Sequence, residues 1–348
     1  MFQLCSLIYN SSSDGVVPRL SVVIPTYQGA QILKFTLESL VRQQVSCPWE
    51  ILICDDGSDD LQPSMFQDIP QVIRVYQFHT RVGYPGNLQR CIDLSQGELI
   101  MLLGQDDIVA SGYLQCVVDM FLSSPNIGAI SRSYYWFEDT PDVPVRAKRI
   151  PRGLREKRFV DITINSSMAE IKILLDSLDQ LSGVAFRRSA LQSGIGGEIF
   201  TAHIQPFIDI LLCQPVRFIC STPIAVRIRS SQSRNVSSIY SHSPLSSWIS
   251  VANSFPTMRL RNWISKEFVC RNYVGLLQIR NYSDQPIRYV LREMELMIRH
   301  RPMNLLSIRF WLIAALCMAL PRQLLASLTD FCKPLSLYGR PKPTLESR

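Results

Sequence analysis

The sequence has no Cys-x-x-Cys pair, no apolar run of membrane-spanning length and no internal repeat. Its ten cysteines are scattered. Cys54, Cys91, Cys116, Cys220 and Cys317 fall inside apolar segments, so nothing suggests a zinc ribbon or a dithiol site, and they read as small hydrophobes in a reducing compartment. Met1 to Pro18 carries neither a basic leader region nor a small-residue cleavage site, so Asn235-Val236-Ser237 is not read as a glycan acceptor. The chain is expected in the cytoplasm. Phe310 to Leu320 is apolar and uncharged, but Arg309 and Pro321-Arg322 bound it at eleven residues, and a spanning helix needs about 20.

What is present is a globular composition. Of 348 residues, 47% are apolar and 19% charged, enough for one large core or two modest ones. The net charge of +7 is concentrated after residue 140, in Arg146, Lys148, Arg149, Arg152, Arg155, Lys157 and Arg158. A basic face of this kind implies an anionic partner (phosphate, a membrane surface or nucleic acid), unless it is only a solvated loop.

Leu20 to Ile24, closed by Pro25, reads as a buried parallel strand ending at Thr26-Tyr27. From Gly29 the period becomes helical, with Ile32, Leu33, Leu37, Leu40 and Val41 on one face. A second strand, Glu50 to Cys54, ends on Asp55-Asp56-Gly57-Ser58. Val72 to Phe78 is a third strand, Asn87 to Ser95 a helix, and Leu99 to Leu103 a fourth strand ending on Gln105-Asp106-Asp107. A helix around Tyr113 to Leu122 and a strand at Ile127 to Ser131 follow. Further on come a helix from Ala169 to Leu178, a strand at Gly183 to Arg188, and one or two strands around Pro223. This alternation predicts a doubly wound α/β sheet with its ligand at the carboxyl ends of the strands. The Pro-Thr-Tyr, Asp-Asp-Gly-Ser and Gln-Asp-Asp turns then share one rim.

Two adjacent carboxylates repel. A divalent cation bridging them to phosphate oxygens relieves that repulsion; the alternative is a turn in which one Asp caps the helix near Ala110 and the other is exposed.

Leu20 to Tyr27, Leu37 to Gln44, Glu50 to Ser58 and Gly97 to Asp107 together resemble, in order and spacing, the motifs of family 2 glycosyltransferases. The resemblance implies a Rossmann-like nucleotide-diphospho-sugar transferase (GT-A) fold over 19–240, after an N-terminal extension (1–18) and before a helical C-terminal region (241–333) and a flexible tail (334–348). It implies a nucleotide-sugar donor, a glycan or lipid-linked acceptor, no nucleic acid, and a Mn2+ or Mg2+ ion held by Asp107 and Asp106. Pro25, Thr26 and Tyr27 would line the nucleoside pocket and Asp56 would accept from the base. Asp55 would be a partner in the turn, with Asn87 and Arg90 as further members of the donor site. Arg229, Gln232 and Arg234 lie where relatives close a segment over the diphosphate, for which Arg forks and Ser or Gln donors are suited.

There are two departures. Many members carry an additional Asp where this chain has Gly104. The acid that activates the acceptor in inverting members is also missing, and His203 falls closest to its position. Imidazole has a suitable pKa for that work, but a helix N-terminal His bonded to backbone is the alternative, and Glu198 and Asp209 are further candidates.

Beyond Ser246 the pattern is helical. Leu305, Leu306, Trp311, Leu312, Leu324 and Leu325, with Arg301, Arg309, Arg322 and Lys333, suit a helix lying in the inner membrane face; the other reading is a helix packed on the domain. The expected function is metal-dependent, inverting sugar transfer. The competing one is a non-catalytic nucleotide- or glycan-binding relative; a nucleotidyltransferase is disfavoured because no Gly-rich activation loop is present.

Overall fold

The computed structural model describes residues 5–11, 15–228 and 237–335. They fall into two compact units, one made of residues up to 197 together with 202–227, the other of 198–201 with 228–335.

The first unit is built on an eleven-stranded mixed sheet. In chain order its strands are β1 (Cys5–Asn10), β2 (Leu20–Thr26), β3 (Trp49–Asp55), β4 (Val72–Phe78), β5 (Leu99–Leu102), β6 (Ile108–Val109), β7 (Ala129–Phe137), β8 (Pro144–Ala147), β9 (Phe159–Ile162), β10 (Ala185–Arg187) and β11 (Val216–Arg227). Across the sheet they run β1-β4-β3-β2-β5-β10-β7-β11-β6, with β8 paired to β7 and β9 to β11. Neighbouring β4, β3, β2 and β5 are parallel. Leu20, Val22, Val23, Ile24, Ile51, Leu52, Ile53 and Leu99 to Leu102 are all at most 1% exposed, as expected of strands covered on both faces.

The helices of this unit are α1 (Ala30–Val41), α2 (Gly83–Leu94), α3 (Tyr113–Ser123), the single turn α4 (Arg152–Arg155), α5 (Met168–Ser177) and α6 (Ile204–Cys213). α1 buries Leu33, Leu37 and Leu40 as its period predicts. A reciprocal capping box between Ser167 and Glu170 starts α5.

Several elements differ from the sequence expectation. The N-terminal segment contributes β1, an antiparallel edge strand on β4. α2 begins at Gly83, four residues before Asn87. β7 continues to Phe137 with every residue buried, because β10, β11 and β8 pair with it. β11 is one strand whose register shifts between Ile219 and Ile224, around Pro223.

The second unit is helical: α7 (Pro244–Ser254), α8 (Met258–Trp263) running into a π-helical turn (Ile264–Val269), α9 (Val274–Tyr282), α10 (Pro286–His300), α11 (Ile308–Ala319) and α12 (Arg322–Leu335). Ser243, Thr257 and Ser307 cap α7, α8 and α11. Among the described residues no helix is long and apolar enough to cross a membrane.

Where β2, β3 and β4 begin, a polar network is sealed into the core. Glu50, 1% exposed, accepts from Arg74 Nε (2.8 Å), Ser21 Oγ (2.6 Å) and the Gln96 amide (2.9 Å). Removing one partner strands a buried cation, so Glu50→Ala is expected to cost about 3–5 kcal/mol in urea unfolding. A loss under about 1 kcal/mol would show that the network is dispensable.

Candidate active site at the strand ends

Strand register brings Thr26, Asp55 and Gln77 side by side at the rim. Past Thr26 the chain turns sharply, with Gln28 at φ 47° and its amide on Ser58 Oγ at 3.0 Å. Asp55 is fully buried and takes the Ser58 amide (2.9 Å) and hydroxyl; burial raises its pKa. Asp55 is thus the structural acid of its turn. Asp56 accepts from the amides of Val82 and Gly83, both at 2.8 Å, and from Arg90 at 3.4 Å, so it holds the loop that leads into α2. The Arg81 guanidinium lies 3.8 Å over the Tyr27 ring. Asn87, 2% exposed, donates to Cys54 O at 2.8 Å, while its Oδ1 is buried without a protein partner.

The two rim acids after β5 have different surroundings. Asp107 is 3% exposed; its Oδ2 takes the Ser182 hydroxyl and its Oδ1 the Arg227 amide at 3.0 Å. Burial, then the neighbouring Asp106 charge, pushes its pKa up to about 8. Asp106 is half-buried. Asp106 is thus the less buried of the two carboxylates. A Cβ at Gly104 would meet Asp107 Oδ2, Asp106 Oδ1 and Ser182 Oγ at 3.0–3.1 Å, so the glycine lets both acids and the serine pack closely. Gln105 joins the first and fourth strand-end turns. Its side-chain amide accepts from Tyr27 N (3.0 Å) and donates to Tyr27 O (3.3 Å), while its carbonyl takes the Thr36 hydroxyl at 2.9 Å.

The acceptor-activating candidates are dispersed. His203, at the N-terminus of α6, is 6% exposed. Its Nε2 lies 2.8 Å from Leu178 O and so donates, leaving Nδ1 to accept from the Tyr84 hydroxyl at 3.0 Å. Burial lowers its pKa to about 4. The ring is neutral, doubly bonded and a weak base, which matches the backbone-bonded alternative. A Cβ on Gly128, just before β7, would meet the Ile210 side chain at 2.5 Å, so α6 descends from the rim toward the start of β7. Asp209 thus sits about 9 Å down the helix from His203, bonded to Ser193 and Gln205. Glu198 is exposed, groups with the second unit and accepts from Ser247 at 2.6 Å. Arg229, Gln232 and Arg234 lie outside the described residues.

Asp179 is an acid near this rim that the sequence pattern does not single out. It follows α5 in the loop that delivers Ser182 to Asp107, its side chain is 42% exposed, and it accepts from the Tyr134 hydroxyl and from Lys148 Nζ at 2.7 Å. Beside it, fully buried Arg132 donates to Ser177 O and Gln180 O at 2.9 and 3.0 Å. Only the basic character of 146–158 hinted at an acid partner here.

Residues 21–179, which contain all three strand-end turns, match the family described as Glycosyl transferase family 2. They are a family 2 glycosyl transferase domain. The family 2 match ends at Asp179, short of Ser182 and His203. A GalNAc(5)-diNAcBac-PP-undecaprenol beta-1,3-glucosyltransferase of Campylobacter jejuni is 27% identical over 106 residues, 29% of this chain and 34% of that protein. The validoxylamine A glucosyltransferase of Streptomyces hygroscopicus is 40% identical over 70 residues, 20% of this chain and 17% of that one. The chain thus spans about a third or less of these relatives. The structure of S. aureus TarS 1-349 in complex with UDP-GlcNAc superposes with a TM-score of 0.60 at 15% identity, over 92% of this chain and 89% of that one. The family 2 domain and its helical extension therefore share that fold.

Asp107 ties down the rim of this family 2 domain, so Asp107→Ala is expected to lower unfolding free energy by about 3 kcal/mol, with Asp106→Ala changing it by less than about 1 kcal/mol. Equal effects would deny the difference between them. Because His203 is held neutral in the fold and protonates near 6.5 when unfolded, its contribution is complete above about pH 6.5 and is lost as pH falls toward about 4. The melting temperature should fall across that window less steeply in His203→Gln than in the parent; an unchanged slope would count against a neutral buried ring.

Proposed function

We propose that this protein transfers a sugar from a nucleoside-diphosphate donor to a hydroxyl of a glycan or lipid-linked saccharide at a membrane surface, with inversion at the anomeric carbon and dependence on a divalent cation. The observation that carries this reading is the rim itself. The half-buried Asp106 follows Gln105, whose amide is locked to the Tyr27 backbone, so a diphosphate-facing carboxylate and a nucleoside-facing ring are held in one rigid piece. The support from relatives is in their names: the Campylobacter protein and an E. coli UDP-Glc:alpha-D-GlcNAc-diphosphoundecaprenol beta-1,3-glucosyltransferase WfgD act on diphosphoundecaprenol-linked sugars.

In this reading Tyr27 and Arg81 form one wall of the nucleoside pocket, and Thr26 and Pro25 its floor. Asp56 has about four acceptor positions and three hydrogen-bond donors on it, with the Arg81 guanidinium 4.0 Å from Oδ2, leaving one position for the base. Asn87 holds the strand ends beneath. One accessible carboxylate backed by a second is the donor set magnesium or manganese takes when phosphates and water complete its shell. Asp106, supported by Asp107, would hold the ion; among the described residues no group of three His, Cys, Asp or Glu is suited to a metal ion. When bound, such a cation neutralises charge on the departing diphosphate. Asp179, oriented by Tyr134 and Lys148, accepts the proton of the attacking hydroxyl. His203 and Tyr84 keep the start of α6 in place behind it.

The test is release of nucleoside diphosphate from a panel of nucleotide sugars with manganese, with and without glycan acceptors. Asp106→Ala is expected to lower release about 100-fold, and Asp179→Asn to lower kcat by a similar factor with donor KM unchanged. His203→Gln should retain most turnover at a reduced melting temperature. Donor binding without release, with a competent acceptor present, would favour a non-catalytic relative. Loss of turnover in His203→Gln at unchanged stability would return acceptor activation to the imidazole.

A further inference from the structure

We propose that the surface formed by the turn 302–306, α11 and the start of α12 is a docking face for a bilayer rich in anionic lipid, onto which the second unit lies without crossing it. This extends the membrane-surface part of the proposed function and is independent of the sugar transfer itself.

Apart from Arg309, α11 is apolar around its circumference, yet only one side is used internally. Phe310, Ala314 and Cys317 are buried. Arg280 clasps the helix end through Cys317 O and Leu320 O at 2.7 and 3.1 Å, and Phe310 packs edge-on to Tyr273. The opposite stripe, Ile308, Trp311, Leu312 and Leu316, has helical spacing and is exposed, Ile308 by 77%. Leu306 before it is also 77% exposed and Leu324 after it 54%. Leu325, expected from sequence to join this face, is instead buried. An apolar patch of this extent is uncommon on a monomer and marks an interaction site.

Charge selects the occupant. No Asp or Glu occurs between Glu295 and Asp330, while Arg309 and Arg322 flank the stripe. A second copy would set arginine against arginine with no acid to answer it. A bilayer with anionic headgroups satisfies both the apolar stripe and its basic margin. α11 spans twelve residues, about 18 Å, against a hydrocarbon core of about 30 Å, so it lies in the interface.

Flotation of the full chain with vesicles of phosphatidylcholine alone, or of phosphatidylcholine with phosphatidylglycerol, tests this. The parent should float with the mixed vesicles and bind the neutral ones about ten-fold less well. The exposed-face variant Leu306→Asp with Leu312→Asp should lose binding by about ten-fold or more, and Arg309→Glu with Arg322→Glu should lose the anionic preference. Both should keep the parental melting curve and nucleoside diphosphate release, which separates failure of this face from failure of the transfer reading. Brominated lipid should quench a fluorescence component absent from Trp311→Phe. The proposal is overturned if the parent does not bind vesicles, if binding survives both double substitutions, or if the parent self-associates and Leu306→Asp with Leu312→Asp dissolves that association.

Discussion

The carboxylate of Asp107 accepts from a hydroxyl on the loop before β10 and from an amide at the end of β11, and through these two bonds it joins parts of the sheet that are remote in sequence. Ser182 in turn takes the Gly104 amide at 2.8 Å, closing the turn after β5. The backbone of the half-buried Asp106 is fixed by this closure. Burying a carboxylate is costly unless its lone pairs are filled, and here each oxygen has a protein donor. The outward-facing chemistry of the rim therefore depends on an inward-facing acid.

A similar division of labour recurs after β3. Asp55 is internal and bound to Ser58, while Asp56 holds the next loop. In both acid pairs one member is used to shape the turn and the other is left facing the rim or the loop beside it. Buried Arg132 lies near Asp107, Asp179 and Tyr134, and desolvation lowers its pKa while those groups oppose the effect. The rim is a charge-balanced cluster in which neither the acids nor the arginine stand alone.

What was legible in the sequence was local. Leu20 to Thr26, Trp49 to Asp55 and Leu99 to Leu102 announce themselves as buried parallel strands through uninterrupted apolar runs, and the acids that end them gave the rim. β1, β6, β8 and β9 were not legible, because short half-exposed strands owe their existence to partners far along the chain. β7 runs on past Arg132 and Ser133, which look like a strand end in sequence, because two of the guanidinium nitrogens reach the carbonyls of Ser177 and Gln180 at the end of α5 and beyond it. The burial of Asp107 is not legible for the same reason, since Ser182 and Arg227 lie 75 and 120 residues away from it. For His203 a base and a backbone-bonded helix start were both open in the sequence, and only the fold shows both ring nitrogens occupied. Gln105 passed as a spacer, because its bond to Tyr27 joins two turns 78 residues apart.

A Cβ on Gly104 would stand 3.0–3.1 Å from Asp107 Oδ2, Asp106 Oδ1 and Ser182 Oγ, so any side chain there presses at once on both rim acids and on the hydroxyl that closes the turn. The glycine is therefore a spacer as much as a turn residue: it keeps two carboxylates and a serine at contact distance, and a larger residue at 104 would be felt at all three together.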